Sequence, residues 1–183
     1  MFHRSQRLLL RPGWIEDVTE ITRGIADEGI VRNLARVPWP YGEQDAHEWL
    51  SMPKQPHLPV FLLTLPSAQG TPVIGACGLH SGERGPEIGY WIARDYWGQG
   101  FATEAARALL SIARTLGHGR IHARHAIDNP ASGKVLRKAG FVPTGGMVRS
   151  YSLGRGEDVI CAEYLAELVG CSGNDDPQMP QAA

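Results

Sequence analysis

The chain has 183 residues, 43% of them hydrophobic, which is enough for one well-cored domain and short for two. Lys plus Arg number 18 against 19 Asp plus Glu, so a net charge of −1 leaves no basic field for nucleic acid or anionic lipid. Cys77, Cys161 and Cys171 are far apart and lack the close Cys/His pairing of a zinc site, and no segment has the length of a signal core or membrane span, so the expectation is a soluble, cytoplasmic protein with reduced thiols, no metal and no membrane partner.

Arg7-Leu8-Leu9-Leu10-Arg11-Pro12 predicts a first strand closed by Pro-Gly, and Trp14 to Asp27 has helical spacing in Ile15, Val18, Ile21 and Ile25. Val37-Pro38-Trp39-Pro40-Tyr41 reads as an aromatic loop, since each proline biases the residue before it to extended geometry, and a short helix follows around Glu43 to Met52. Val60 to Thr64 and Val73 to Leu79 predict a hairpin, with Glu87 to Ile92 as a third strand whose alternation sets Ile88, Tyr90 and Ile92 against Glu87, Gly89 and Trp91. Phe101 to Leu116 carries an apolar stripe through Ala105, Ala108, Leu109 and Ile112 and stops at Gly117. A strand from Arg120 to Ala126 leads to Asn129-Pro130, a cap and first-turn pair, and that helix ends at Gly140 with Phe141 folded back on Leu136. Phe141 to Met147 and Asp158 to Leu168 predict two last strands, and the Pro- and Asp-containing tail from Gly170 to Ala183 predicts disorder after a single domain over 1–169. Strands and helices in this mixed order make an α+β domain with one central sheet.

The stretch Tyr96-Trp97-Gly98-Gln99-Gly100-Phe101-Ala102-Thr103-Glu104 turns from a strand directly into a helix. Gly98 and Gly100 let backbone approach a ligand, and the first helical turn offers unpaired N–H groups at a positive dipole end, which suits a phosphate. By itself the turn is equally compatible with a tight connection. A Walker loop would need Gly-Lys-Ser/Thr and a dinucleotide fingerprint three glycines in a first βαβ unit, and the chain has neither.

Glu87-Ile88-Gly89-Tyr90-Trp91-Ile92, Trp97 to Ala105, Asn129-Pro130-Ala131-Ser132 and Lys138-Ala139-Gly140-Phe141, in that order, resemble the GNAT acetyltransferases. Arg7 to Pro12 and Pro38-Trp39-Pro40-Tyr41 resemble the RimJ/RimL branch, which acetylates protein N-termini, so the likeness runs from about residue 5 to about residue 168. The resemblance implies a GNAT fold: a mixed, mostly antiparallel, seven-stranded sheet flanked by about four helices and splayed into an acetyl-CoA cleft. It implies acetyl-CoA as cosubstrate, with the pyrophosphate on Trp97, Gly98, Gln99, Gly100, Phe101, Ala102 and Thr103, and the pantetheine arm on main-chain groups near Ile92 and Arg94. Trp97 stands where Arg or Gln is commonest in the family, which leaves the phosphates to backbone N–H groups from Gly98 to Thr103. Asn129 has both a capping and a pantetheine-contacting part in this likeness, and Lys134 is a candidate for the 3′-phosphate among helix-face cations.

Acyl transfer to an amine needs a neutral nucleophile. Glu87 aligns with a family position that supplies the base, against the reading of a solvent-facing strand carboxylate. The general-acid tyrosine of many relatives is replaced by Leu136, and Ser132 is the substitute the branch suggests, against a first-turn serine bonded only to backbone. Trp39, Tyr41 and Trp49 are candidate acceptor walls, core packing being the stronger reading for Trp49, with Tyr151 and the Gly154-Arg155-Gly156 turn opposite. The expected reaction is direct transfer, in a ternary complex, from acetyl-CoA to a primary amine, best a protein or peptide N-terminus, with polyamines, amino-acid analogues or an antibiotic as rivals. A CoA-binding module without turnover is the alternative from another class, and the chain is expected as a monomer or homodimer.

Overall fold

The computed structural model describes residues 1–168. The tail expected to be disordered, and Cys171 with it, lie outside the described residues. Eight strands form one sheet in the order β1-β2-β3-β4-β5-β6-β8-β7: His3–Arg4, Leu9–Arg11, Val60–Thr64, Val73–Gly82, Gly85–Ile92, Arg120–Ala126, Val142–Ser152 and Glu157–Glu167 are β1 to β8 in chain order. The helices are α1 (Val18–Ile25), α2 (Glu28–Val31), α3 (Glu43–Ser51), α4 (Phe101–Thr115) and α5 (Pro130–Ala139). The architecture is the α+β sheet expected, with one more strand and one more helix. The extra pieces, the two-residue β1 and the one-turn α2, are too short to show a periodicity.

Every neighbouring pair in the sheet is antiparallel except β5 and β6, which run parallel and are joined in register only at Glu87↔His122. A parallel pair requires a crossover, and α4 supplies it. From that single point toward the carboxyl ends of both strands, β5 keeps its β4 partner while its β6 side has none.

The two faces of the sheet carry separate cores. Leu10, Leu63, Ile74, Ile88 and Ile92 pack with Phe101, Leu109 and Ile112 of α4 and Leu136 of α5, while Ile21 and Ile25 of α1 pack with Leu62, Val73 and Ala76 on the other side. The expected alternation of β5 holds: Ile88, Tyr90 and Ile92 face the α4 core and Trp91 the α1 core. α5 begins at Asn129, whose side chain accepts from the Ser132 N–H, and closes at Gly140, with φ of 110° and the Phe141 N–H bonded to the Leu136 carbonyl.

Leu109 is wholly buried in the α4 core. Leu109→Ala removes that contact and leaves a cavity, so urea denaturation should show a loss of about 3 kcal/mol with an unchanged slope.

Candidate active site

Trp97, which ends the 3-10 turn Arg94–Tyr96, donates its indole N–H to the Ile92 carbonyl at 2.6 Å and so pins the loop to the end of β5. Gly98 and Gly100 both have positive φ, 74° and 83°, a region open to glycine at little cost. Among the described residues, the N–H groups from Gly98 to Thr103 donate to no protein acceptor, the first helical bond being Glu104 N–H to Gly100 at 3.1 Å. Consecutive free donors at the start of a fifteen-residue helix form an anion site. Arg94 has its side chain committed elsewhere: it is bidentate to Asp27 and lies over the Trp97 ring at 4.5 Å. Lys134 is exposed on α5.

Where β5 and β6 part, a cavity of about 590 Å³ opens, lined on one side by Ile21, Tyr41 and Trp49 and on the other by Tyr90, Ser132 and Leu136. Glu87 lines it and is only 9% exposed, so the reading of a solvent-facing carboxylate is corrected: the start of β5 is covered by β4, β6 and the β7–β8 hairpin. Its Oε1 lies 2.9 Å from Arg124 Nε on β6 and 3.8 Å from His80 Nε2 on β4. Burial pushes the Glu87 carboxyl up, but His80 and Arg124 outweigh it and hold the group below the ordinary glutamate value.

Ser132 is not bonded to backbone alone. Its Oγ is 2.8 Å from the Tyr90 hydroxyl, which burial pushes up to about 12, so Tyr90 is a neutral hydroxyl near pH 7. Beneath α5, His125 Nδ1 donates to the Ala126 carbonyl at 2.8 Å, so in the neutral ring Nε2 accepts from the Tyr164 hydroxyl at 3.3 Å, and Tyr164 accepts from Arg137 at 2.9 Å. Gly133 permits this approach, since a Cβ there would stand 2.6 Å from His125 Nε2.

Of the expected acceptor walls, Tyr41 and Trp49 line the cavity, and both also pack on the α1 core. Trp39 and Tyr151 are exposed and do not line it; strand alternation turns Ser150 and Ser152 inward in place of Tyr151. Ser152 is 2% exposed, and its hydroxyl has no hydrogen-bond partner among the described residues. The β7–β8 turn closes that end: Arg155 binds Asp128 at 2.7 and 3.0 Å and the Arg32 carbonyl at 2.6 Å, and Leu153 N–H bonds the Ala35 carbonyl. Sequence reading did not find Tyr90, His80, Arg124 or Ser152 as site residues. The signal available was weak: polar Arg120, His122 and Arg124 alternate with Ile121 and Ala123 along β6.

A family model described as "Acetyltransferase (GNAT) domain" matches residues 7–142. The chain belongs to the GNAT acetyltransferase family. An "Uncharacterized N-acetyltransferase p20" of Bacillus licheniformis is 39% identical over 88 residues, which are 46% of this chain and 49% of that protein, so the match spans about half the length of this curated relative. Among solved structures, a GNAT-family acetyltransferase from Bacillus anthracis shares the fold with a TM-score of 0.77 at 22% identity, over 92% of this chain and 99% of that one. RimL, titled a ribosomal L7/L12 alpha-N-protein acetyltransferase in complex with coenzyme A, has a TM-score of 0.73 at 18% identity, over 92% and 98% of the two GNAT chains. No group of His, Cys, Asp and Glu among the described residues has the arrangement of a metal site, and no described helix is long and apolar enough to cross a membrane.

Glu87, Glu104 and Asp128 all titrate below their ordinary values in the folded chain: for Glu87 and Glu104 charged partners and N–H donors outweigh burial, and for Asp128 the Arg155 hydrogen bond leads. Groups with depressed folded values stabilise fully above the unfolded values of 4.5 for Glu and 3.8 for Asp, and that stability is lost as pH falls through the folded ones. The urea midpoint should therefore be flat from neutral pH to about 5.5 and fall steeply below about 4.5. In Arg124→Gln, a carbon-13 titration should place Glu87 higher than in the wild type, because burial then acts with one fewer cation opposing it.

Proposed function

We propose that this GNAT chain transfers the acetyl group of acetyl-CoA to the α-amine of a protein or peptide N-terminus, by direct attack in a ternary complex. The observation that carries this reading is the gap between β5 and β6: the cavity holding Glu87 opens along it, and the free N–H groups of the Gly98 loop follow at the carboxyl end of the same strand. The pyrophosphate sits on Gly98 to Thr103 and the pantetheine runs along β5 toward Ile92, with Asn129 beside it. Because the Ile92 carbonyl is taken by Trp97, the arm there depends on N–H groups and on neighbouring carbonyls.

The amine nitrogen attacks the thioester carbonyl carbon; the C–N bond forms, the tetrahedral intermediate collapses, and the C–S pair leaves on sulfur. Before attack the ammonium gives one proton through water to Glu87; after attack the nitrogen gives its second proton to solvent, and the thiolate takes a proton from Ser132, which draws one from Tyr90, the tyrosinate regaining its proton from water. A carboxylate held at a low value is a weak base. It suits an α-amine, with a value of about 8, better than an alkylamine above about 10.

The cavity wall also balances charge, with Asp45, Glu48 and Glu87 against Arg32, Arg36 and Arg124. Asp45 is further committed to the Gly42 N–H at 2.8 Å, so the wall offers little to a polycation such as a polyamine or aminoglycoside. The orphaned Ser152 hydroxyl suits a peptide group. The same arginines support, as a second reading, a small amine carrying a carboxylate, such as an amino-acid analogue.

Mass spectrometry after incubation with acetyl-CoA and a panel of N-terminal peptides, polyamines, amino acids and aminoglycosides should show single acetylation of peptide α-amines. Transfer only to small amines would replace the first reading by the second, and CoA binding without any transfer would make the chain a binding module. Glu87→Gln should lower kcat by about 100-fold and abolish the acidic limb of its pH profile. Ser132→Ala and Tyr90→Phe should each lower kcat by about 10-fold or more with CoA affinity retained.

A further inference from the structure

The loop that holds the free N–H groups contains no cation from Trp97 to Thr103, and Arg94 is bound to Asp27. A cation reaches it from elsewhere. Arg7, in the turn between β1 and β2, donates from Nη1 to the Gln99 carbonyl at 3.0 Å and from Nε to Glu104 at 2.8 Å, and its guanidinium lies 4.2 Å from the centre of the Phe101 ring. Glu104 also accepts the Arg7 backbone N–H at 2.6 Å and the Ser5 hydroxyl at 2.7 Å.

Two consequences follow for an anion at this loop. The Gln99–Gly100 peptide is trans, so its C=O and N–H point to opposite sides. With the carbonyl held by Arg7, the Gly100 N–H is turned away from Arg7, into the row of free donors. Glu104 meanwhile places a negative charge in the first turn of α4, where it would repel a diphosphate arriving at the positive end of the helix. The guanidinium offsets that charge at close range.

We infer that Arg7 is a positioning residue for the phosphate loop, orienting the Gln99–Gly100 peptide toward the diphosphate of CoA and offsetting Glu104, so that the loop binds a dianion with no cation of its own. The inference rests on the CoA reading above and is independent of which amine accepts the acetyl group.

Calorimetric titration of the full chain with CoA tests it. Arg7→Met should weaken CoA about ten-fold and raise the KM for acetyl-CoA by the same factor, with kcat within about two-fold of wild type. S-acetylpantetheine, which lacks the diphosphate, separates this role from general damage: the preference for acetyl-CoA over it should shrink about ten-fold, the loss falling on acetyl-CoA. Arg7→Lys keeps a charge and a donor and should recover most of the affinity. Unchanged CoA affinity in Arg7→Met, an equal loss for both thioesters, or no recovery in Arg7→Lys would overturn the inference. Wild-type chain that binds no CoA would overturn the reading beneath it as well.

Discussion

At the one point where β5 and β6 are in register, Glu87 on β5 lies opposite His122, its carboxylate pairs with Arg124 two residues further along β6, and beyond it the strands separate. This ion pair spans the one parallel junction among the described residues and ties the two halves of the sheet at the root of the cleft. A buried pair of this kind adds little net stability, because removing both charges from water costs nearly what their attraction returns. Its effect is placement. Breaking one partner would strand the other in a cavity wall, so the geometry of the gap and the charge of Glu87 are held by the same contact.

The remaining parts of the site are arranged around that gap. An open sheet offers its ligand crevice outside the carboxyl ends of parallel strands, and here the β5–α4 connection supplies the donors from Gly98 to Thr103 at that end. Trp97 anchors the loop to β5 through the Ile92 carbonyl, while the β1–β2 turn braces its other side through Arg7. On the acceptor side the β7–β8 turn is strapped down by Arg155 on Asp128, the residue before the α5 cap, so the hairpin that closes the cavity also steadies the helix bearing Ser132. The acceptor depends on the cavity wall, where Asp45, Glu48 and Glu87 stand against Arg32, Arg36 and Arg124.

Much of the fold was legible in the chain because its signals are local. The apolar stripe of α4, the Asn129-Pro130 start and Gly140 stop of α5, and the alternation of β5 each depend on residues within a few positions of one another. Tyr90 shows where that reading stops. Its place beside Ile88 and Ile92 follows from the alternation, but a tyrosine on a core face carries no sign that its hydroxyl meets Ser132, far along the chain on α5. Tyr151 was read as facing the acceptor, yet one step of alternation turns it outward and Ser152 inward.

By itself, then, the sequence determined the α+β class, the glycine turn before α4, the capped α5 and, through ordered motifs, the GNAT family. These follow from short-range geometry: positive φ at glycines, helix caps and strand period. Only the tertiary structure decided that Glu87 is buried and charged against Arg124, that Ser132 is coupled to Tyr90, that Ser152 is left without a partner, and that Arg7 reaches the loop. Each of these depends on segments that are far apart in the chain. Burial and charge pairing depend on which chain segments the sheet order makes neighbours, and no local pattern records that order.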